Sequence, residues 1–192
     1  MEMDRELIVF IDCGDTIVDE STQIFADNGD VLKADFIPGA GEMLRQLHHE
    51  GYRLALVADG QTASFRNIFR EFGLSDIFEA WAVSEEVGAC KPDGRMFQTA
   101  MEKMKLTNDD LGRIVMIGNN LKRDVLGANR MGITSILLSY SPRYVMQPET
   151  REETPDYVAA MPCEIVELIH RLELQARNRR GLAAPGAGSM AF

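Results

Sequence analysis

Cysteine is scarce in this sequence: Cys13, Cys90 and Cys163 are the only three in 192 residues. Their odd number and the lack of any CxxC spacing exclude a disulfide framework and a cysteine-rich zinc site, and suit reduced thiols in the cytoplasm. Long apolar runs are missing as well. The first, Leu7 to Ile11, leads straight into acidic and polar residues and is too short for a signal-peptide core or a membrane span. Basic charge is in deficit, with 20 Lys and Arg against 30 Asp and Glu and a net charge of −10. That balance argues against nucleic acid or an anionic membrane as a partner, because both would be repelled. A small anionic substrate would need a cation to bridge it to such a chain.

What is present is alternation. Short aliphatic and β-branched runs at Leu7 to Ile11, Arg53 to Val57, Ala80 to Ser84, Ile114 to Ile117 and Ser135 to Leu138 read as buried strands. Segments of helical spacing lie between them: Gly41 to Glu50, Thr62 to Phe72, Gly94 to Met104 and Arg123 to Met131. The pattern predicts a doubly wound α/β fold with a mostly parallel sheet covered by helices on both faces. Between the first strand and first helix, Asp27-Asn28-Gly29-Asp30 predicts a type I′ turn in a small β-hairpin flap. One α/β domain is expected over 1–176, followed by a flexible tail over 177–192 whose end, Gly181 to Phe192, is rich in small residues.

Open parallel sheets bind ligands beyond the carboxyl ends of their strands, so the residues there are the candidates. Asp12 follows the first strand and can attack an electrophilic phosphorus to form a covalent intermediate. The second strand ends in Ala58-Asp59-Gly60, a candidate substrate-binding turn. The fourth ends in Gly118-Asn119-Asn120, with Asp124 one turn into the next helix. Asp12, Asp124, the Gly14 carbonyl and Asn119 together offer the hard oxygens that Mg²⁺ prefers. Lys91, before the helix at Gly94, is placed to offset charge on Asp12 and on a bound phosphate.

These segments resemble the four motifs of the haloacid dehalogenase superfamily, most of whose members are Mg²⁺-dependent phosphatases. Asp12 falls on the family's nucleophile, Thr16 on the motif's threonine, Lys91 within KPD on its lysine, and Asp124 within GNNLKRDVLGA on its distal acid. The resemblance implies the family's α/β fold and a small phosphorylated molecule as substrate, while the short stretch between Thr16 and Pro38 leaves room for the flap but not for the large inserted cap of many relatives. Three positions depart from it. Gly14 stands where DxDxT places a general acid/base, a group worth about 10² to 10⁴ in rate, and Asp15 or Asp59 is left to replace it. Ala58 stands where a Ser or Thr usually meets phosphate. Asn119 stands where Asp is common, which weakens metal binding.

The departures keep a second reading open, a module that binds a phosphorylated ligand without hydrolysing it, and a third, hydrolysis of a carbon–phosphorus or carbon–halogen bond. With so little chain between Thr16 and Pro38, the site is open to bulky substrates or covered by another subunit in a homo-oligomer. Trp81 reads as core. Cys13, among acidic neighbours, reads as an inert thiol of raised pKa. Arg171, Arg177, Arg179 and Arg180 read as a solvated helix face.

Overall fold

A computed structural model of the chain describes residues 5–141 and 143–183. In chain order the elements are β1 (Ile8–Ile11), β2 (Ile24–Phe25), β3 (Val31–Lys33), α1 (Ala40–His49), β4 (Arg53–Ala58), α2 (Thr62–Glu71) and β5 (Ala80–Val83). They continue with α3 (Ser84–Val87), α4 (Gly94–Lys103), β6 (Ile114–Gly118), α5 (Leu126–Met131), β7 (Thr134–Leu138), β8 (Tyr157–Ala159) and α6 (Pro162–Ala183). Six strands form one parallel sheet in the order β5-β4-β1-β6-β7-β8. The fold is the doubly wound α/β arrangement, with the hairpin β2-β3 as a separate flap.

The two periods in the sequence explain the layers. Side chains alternate along a strand, so Val9 and Ile11 of β1 enter the core formed with α1, α2 and α6. Ile8 and Phe10 enter the opposite core, formed with α4 and α5. β1 lies at the centre of the sheet, and every one of its side chains is buried. That is why its sequence shows a continuous apolar run rather than an alternating one.

The flap is tied to α2. The Val31 N–H donates to Ser64 Oγ at 2.9 Å, and Asn67 Nδ2 donates to the Val31 carbonyl at 3.0 Å. Its turn corrects the type I′ expectation. Type I′ needs two residues at positive φ, whereas only Gly29 has one (φ 87°), and its N–H closes back on the Ala26 carbonyl at 3.0 Å. The Asn-Gly pair thus forms the longer hairpin turn, with glycine taking the left-handed position.

Two further expectations change, and two elements go unread in the sequence. Trp81 is only half-buried, because β5 is an edge strand, and it packs edge-on against Phe69 and Phe78 at 5.7 and 6.1 Å. The strand β8 and the short helix α3 carry too little periodicity to be read in advance. Helix α6 continues to Ala183, so residues 177–183 are helical rather than part of a tail, while the rest of that expectation, 184–192, lies outside the described residues, as does the side chain of Arg180. Among the described residues no helix is long and apolar enough to cross a membrane.

Helix α6 is fastened to the start of β1 by Glu173, which is 3% exposed. Its two oxygens accept the N–H groups of Glu6 and Leu7 at 3.1 and 3.0 Å, and Arg177 donates to it at 2.7 Å. Burial pushes the Glu173 pKa up, but these donors outweigh it and the net shift is downward from 4.5. A depressed carboxyl pKa stabilises the fold above the unfolded-state value, and the contribution is lost as pH falls through the folded one. Glu173→Gln, with one acceptor oxygen instead of two, is expected to cost about 1–3 kcal/mol in urea unfolding at pH 7. The gap to wild type should shrink below about pH 4.5.

Candidate active site

Asp12 sits one residue past β1, its N–H still paired to the Ile117 carbonyl of β6 at 2.9 Å, so the strand ladder itself fixes its backbone. Asp12 is 8% exposed, and its carboxylate is held from both sides. Lys91 Nζ donates to Oδ1 at 2.6 Å, and the Thr16 hydroxyl donates to Oδ2 at 3.3 Å. Lys91 also reaches Asp124 Oδ1 at 2.7 Å and donates to the Val57 carbonyl at 2.8 Å. The ammonium of Lys91, whose side chain is 1% exposed, therefore joins the ends of β1, β4 and the turn after β6.

The turn after β6 delivers Asp124 by a wide, π-type first turn at Leu121–Val125, with Asn120 as its cap. The Asn120 N–H donates to Asp124 Oδ2 at 3.0 Å. Gly118 is required by packing: a Cβ there would lie 2.2 Å from Asp124 Cγ. Asn119 is buried beside them, and its Nδ2 has no hydrogen-bond partner among the described residues.

Burial alone would lower the Lys91 pKa, but Asp12, Asp124 and Asp59 raise it well above the ordinary value. Burial lifts the Asp124 carboxyl to about 6; Lys91 opposes that rise and Asp12 adds to it. The buried Cys13 thiol is raised by burial and then by Asp12 and Glu20, in keeping with an inert cysteine.

Asp12, Gly14, Asn119, Lys91, Asp124 and Asp59 line one small cavity of about 30 Å³. The rest of its wall, Glu20, Asn120, Arg123 and Tyr144, was not among the candidates read from sequence. Arg123 and Asn120 adjoin Asp124 inside the fourth motif, which is a signal that was available. Glu20 and Tyr144 come from loops with no motif at all. A second cleft of about 340 Å³ shares Gly14, Glu20 and Asp59 with the first and runs between the flap and α2, past Phe25, Gln61 and Phe65.

The second-strand turn is divided. Asp59 Oδ1 accepts the Lys91 N–H at 3.0 Å, and its Oδ2 lies 3.8 Å from Arg123. The Ala58 side chain belongs to the hydrophobic core and does not line the small cavity. Gly60 lines only the second cleft, and its N–H already donates to Ser84 Oγ at 2.9 Å. Asp15 does not line the small cavity; it lies in the turn after β1 with a left-handed φ of 49°, so strand alternation does not set its direction. It is 1% exposed and ion-paired with Arg143.

Residues 11–138 match the sequence profile of the haloacid dehalogenase-like hydrolases. The chain belongs to this family. This haloacid dehalogenase-like chain is 26% identical over 129 residues to the glyceraldehyde 3-phosphate phosphatase of Methanopyrus kandleri, covering 67% of the chain and 54% of that protein. It is 28% identical over 137 residues to the pyrimidine 5′-nucleotidase YjjG of Escherichia coli, covering 71% and 55%. The chain thus spans about half the length of the curated relatives it matches. In fold it is similar to the HAD-hydrolase YfnB of Bacillus subtilis, crystallised bound to magnesium (TM-score 0.68, 16% identity, 86% of this chain and 99% of that one).

Replacing Lys91 by Met would leave Asp12 and Asp124 buried without their shared cation. Breaking a buried ion pair from one side costs about 3–5 kcal/mol. Urea unfolding of Lys91→Met at pH 7 should show a loss of that size, and a change below about 1 kcal/mol would mean that the ammonium is not what holds the two carboxylates together.

Proposed function

We propose that this chain is a Mg²⁺-dependent phosphatase acting on a small phosphorylated molecule, with Asp12 as the nucleophile. The observation that carries the reading is the buried Lys91 ammonium between Asp12 and Asp124, at the end of the sheet where the strand-end motifs meet. Relatives named phosphatase and nucleotidase support a phosphoryl group as the target.

The donor set fits a hard divalent cation. Four carboxylates line the cavity, Asp12, Glu20, Asp59 and Asp124, against two cationic side chains, Lys91 and Arg123. Asp12 and Asp124 would hold the ion, with the Gly14 carbonyl and Asn119 as neutral partners or as anchors of a bound water. Among the described residues no group of three or more His, Cys, Asp or Glu is arranged to hold a metal, and the donor set of this proposal is two carboxylates with neutral oxygens. Bound Mg²⁺ would supply positive charge to the phosphoryl oxygens.

The chain's own groups do the rest. Lys91 and Thr16 hold one carboxylate oxygen each, which fixes the Asp12 rotamer before substrate arrives. An Asp12 oxygen bonds to phosphorus as the bond to the leaving oxygen breaks, and water then releases phosphate from Asp12. Lys91 offsets the negative charge that gathers on both partners. Arg123, at the cavity wall, is placed to meet an incoming phosphoryl oxygen.

Phosphate release from p-nitrophenyl phosphate and a panel of alkyl phosphates, with and without Mg²⁺, tests this. Turnover should require the ion and fall on the order of 10³-fold or more in Asp12→Asn. A silent panel in which a phosphorylated ligand raises Tm would favour the ligand-binding module instead, and turnover that survives Asp12→Asn would remove Asp12 as nucleophile.

A further inference from the structure

The space beside Gly14, where the family's motif would carry its second aspartate, is filled from another part of the chain. A Cβ on Gly14 would lie 2.0 Å from Glu20 Oε1, 2.9 Å from its Cδ and 3.3 Å from its Cγ. The Glu20 carboxyl therefore stands where that aspartate's side chain would begin. Glu20 also lines both cavities, the small one with Asp12 and Lys91 and the larger cleft with Phe25 and Phe65. It sits at their boundary. A phosphate ester with its phosphoryl group at Asp12 and its organic part in the cleft would place the bridging oxygen there.

The surrounding loop is built to keep Glu20 in position. Asp15 Oδ1 accepts the Glu20 N–H at 3.0 Å. Arg143 pairs with Asp15 and reaches Glu20 Oε2 at 3.5 Å. Asp19 caps the following turn by accepting the Ser21 N–H at 2.8 Å. Asp15 itself has φ 49°, a left-handed conformation that costs a non-glycine residue of order 1 kcal/mol and persists only where neighbours over-determine it. Of the two aspartates that the sequence left open, Asp15 is committed to Arg143 and the Glu20 backbone, whereas Asp59 gives one oxygen to the Lys91 N–H, lines both cavities and keeps an Oδ2 with no hydrogen-bond partner among the described residues, so it is the rival that the variants below must separate from Glu20.

We propose, resting on the phosphatase reading above, that Glu20 supplies the acid/base function that Gly14 lacks. In the first half-reaction an Asp12 oxygen bonds to phosphorus, the phosphorus–bridging-oxygen bond breaks, and the Glu20 proton passes to that oxygen, so the product leaves as an alcohol. In the second, the Glu20 carboxylate takes a proton from a water whose oxygen bonds to phosphorus. The bond to Asp12 breaks, phosphate departs, and both side chains return to their starting states.

The test is kcat/KM for a series of phosphate monoesters from p-nitrophenyl to simple alkyl, with Mg²⁺, in wild type, Glu20→Gln, Glu20→Ala, Gly14→Asp, Asp59→Asn and the double variant Gly14→Asp/Glu20→Ala. Glu20→Gln should lose about 10²–10⁴ on alkyl esters and at least tenfold less on p-nitrophenyl phosphate, whose leaving oxygen needs no proton. Gly14→Asp alone should lose turnover, because its side chain meets Glu20. The double variant should recover alkyl-ester turnover at least tenfold over Glu20→Ala, because the acid is moved rather than removed. Equal losses on aryl and alkyl esters in Glu20→Gln, or a leaving-group split in Asp59→Asn instead, would overturn the assignment of Glu20 while leaving Asp12 as nucleophile. A silent wild type would bring down both readings together, whereas turnover that survives Asp12→Asn would strike the earlier one first.

Discussion

The arrangement depends on one buried ammonium. Taking a single ion out of water costs several kcal/mol, and this protein buries two carboxylates and a lysine in contact with one another. Lys91 wins its own contest: burial works against its charge, yet the carboxylates around it hold the proton more firmly than water would. Asp124 does not win its contest: burial lifts its carboxyl to about 6, and the one ammonium it shares with Asp12, at 2.7 and 2.6 Å, opposes that rise without cancelling it. The site is short of positive charge. An anionic substrate meets that shortage as repulsion and a divalent cation meets it as attraction, which is the physical basis for expecting the two to enter together.

Glycine makes room for this cluster. At Gly118 any side chain would run into Asp124, so the last residue of β6 must be bare for the carboxylate to reach Lys91. Gly14 serves the same purpose for Glu20, with a different outcome. There the missing side chain is the one that the family's motif would use, and the vacated space is occupied by a carboxyl from the turn leading into the flap. Asp15, next to it, takes on structural work, gripping Arg143 and the Glu20 backbone from a position that glycine would adopt more easily.

The fold was legible because its signals are local and redundant. Five buried strands show as apolar runs, and four helices show as amphipathic segments between them, each element close to its expected bounds. Asp12, Lys91 and Asp124 were legible because strand ends in a parallel sheet face one place. The misreadings came where tertiary context overrides local chemistry. Asn28-Gly29 turns differently because the flap is anchored on α2, and Trp81 packs against the core without being fully buried because β5 has no outer neighbour. Ala58 and Gly60 neighbour Asp59 in the sequence, but one side chain points into the core and the other residue's amide is taken by Ser84.

The sequence by itself determined the alternation of strands and helices, the family, and the aspartates and lysine that meet at the strand ends, since periodicity and strand-end position are properties of short stretches of chain. Only the tertiary structure decided which side chains share the cavity. Glu20, Tyr144 and Arg143 lie in loops that carry no motif, and their relation to Asp12, Asp124 and Asp15 is set by how the chain returns over the sheet. Whether Gly14 leaves a gap or a filled position is a question of volume between segments, and volume is defined only once the segments are packed.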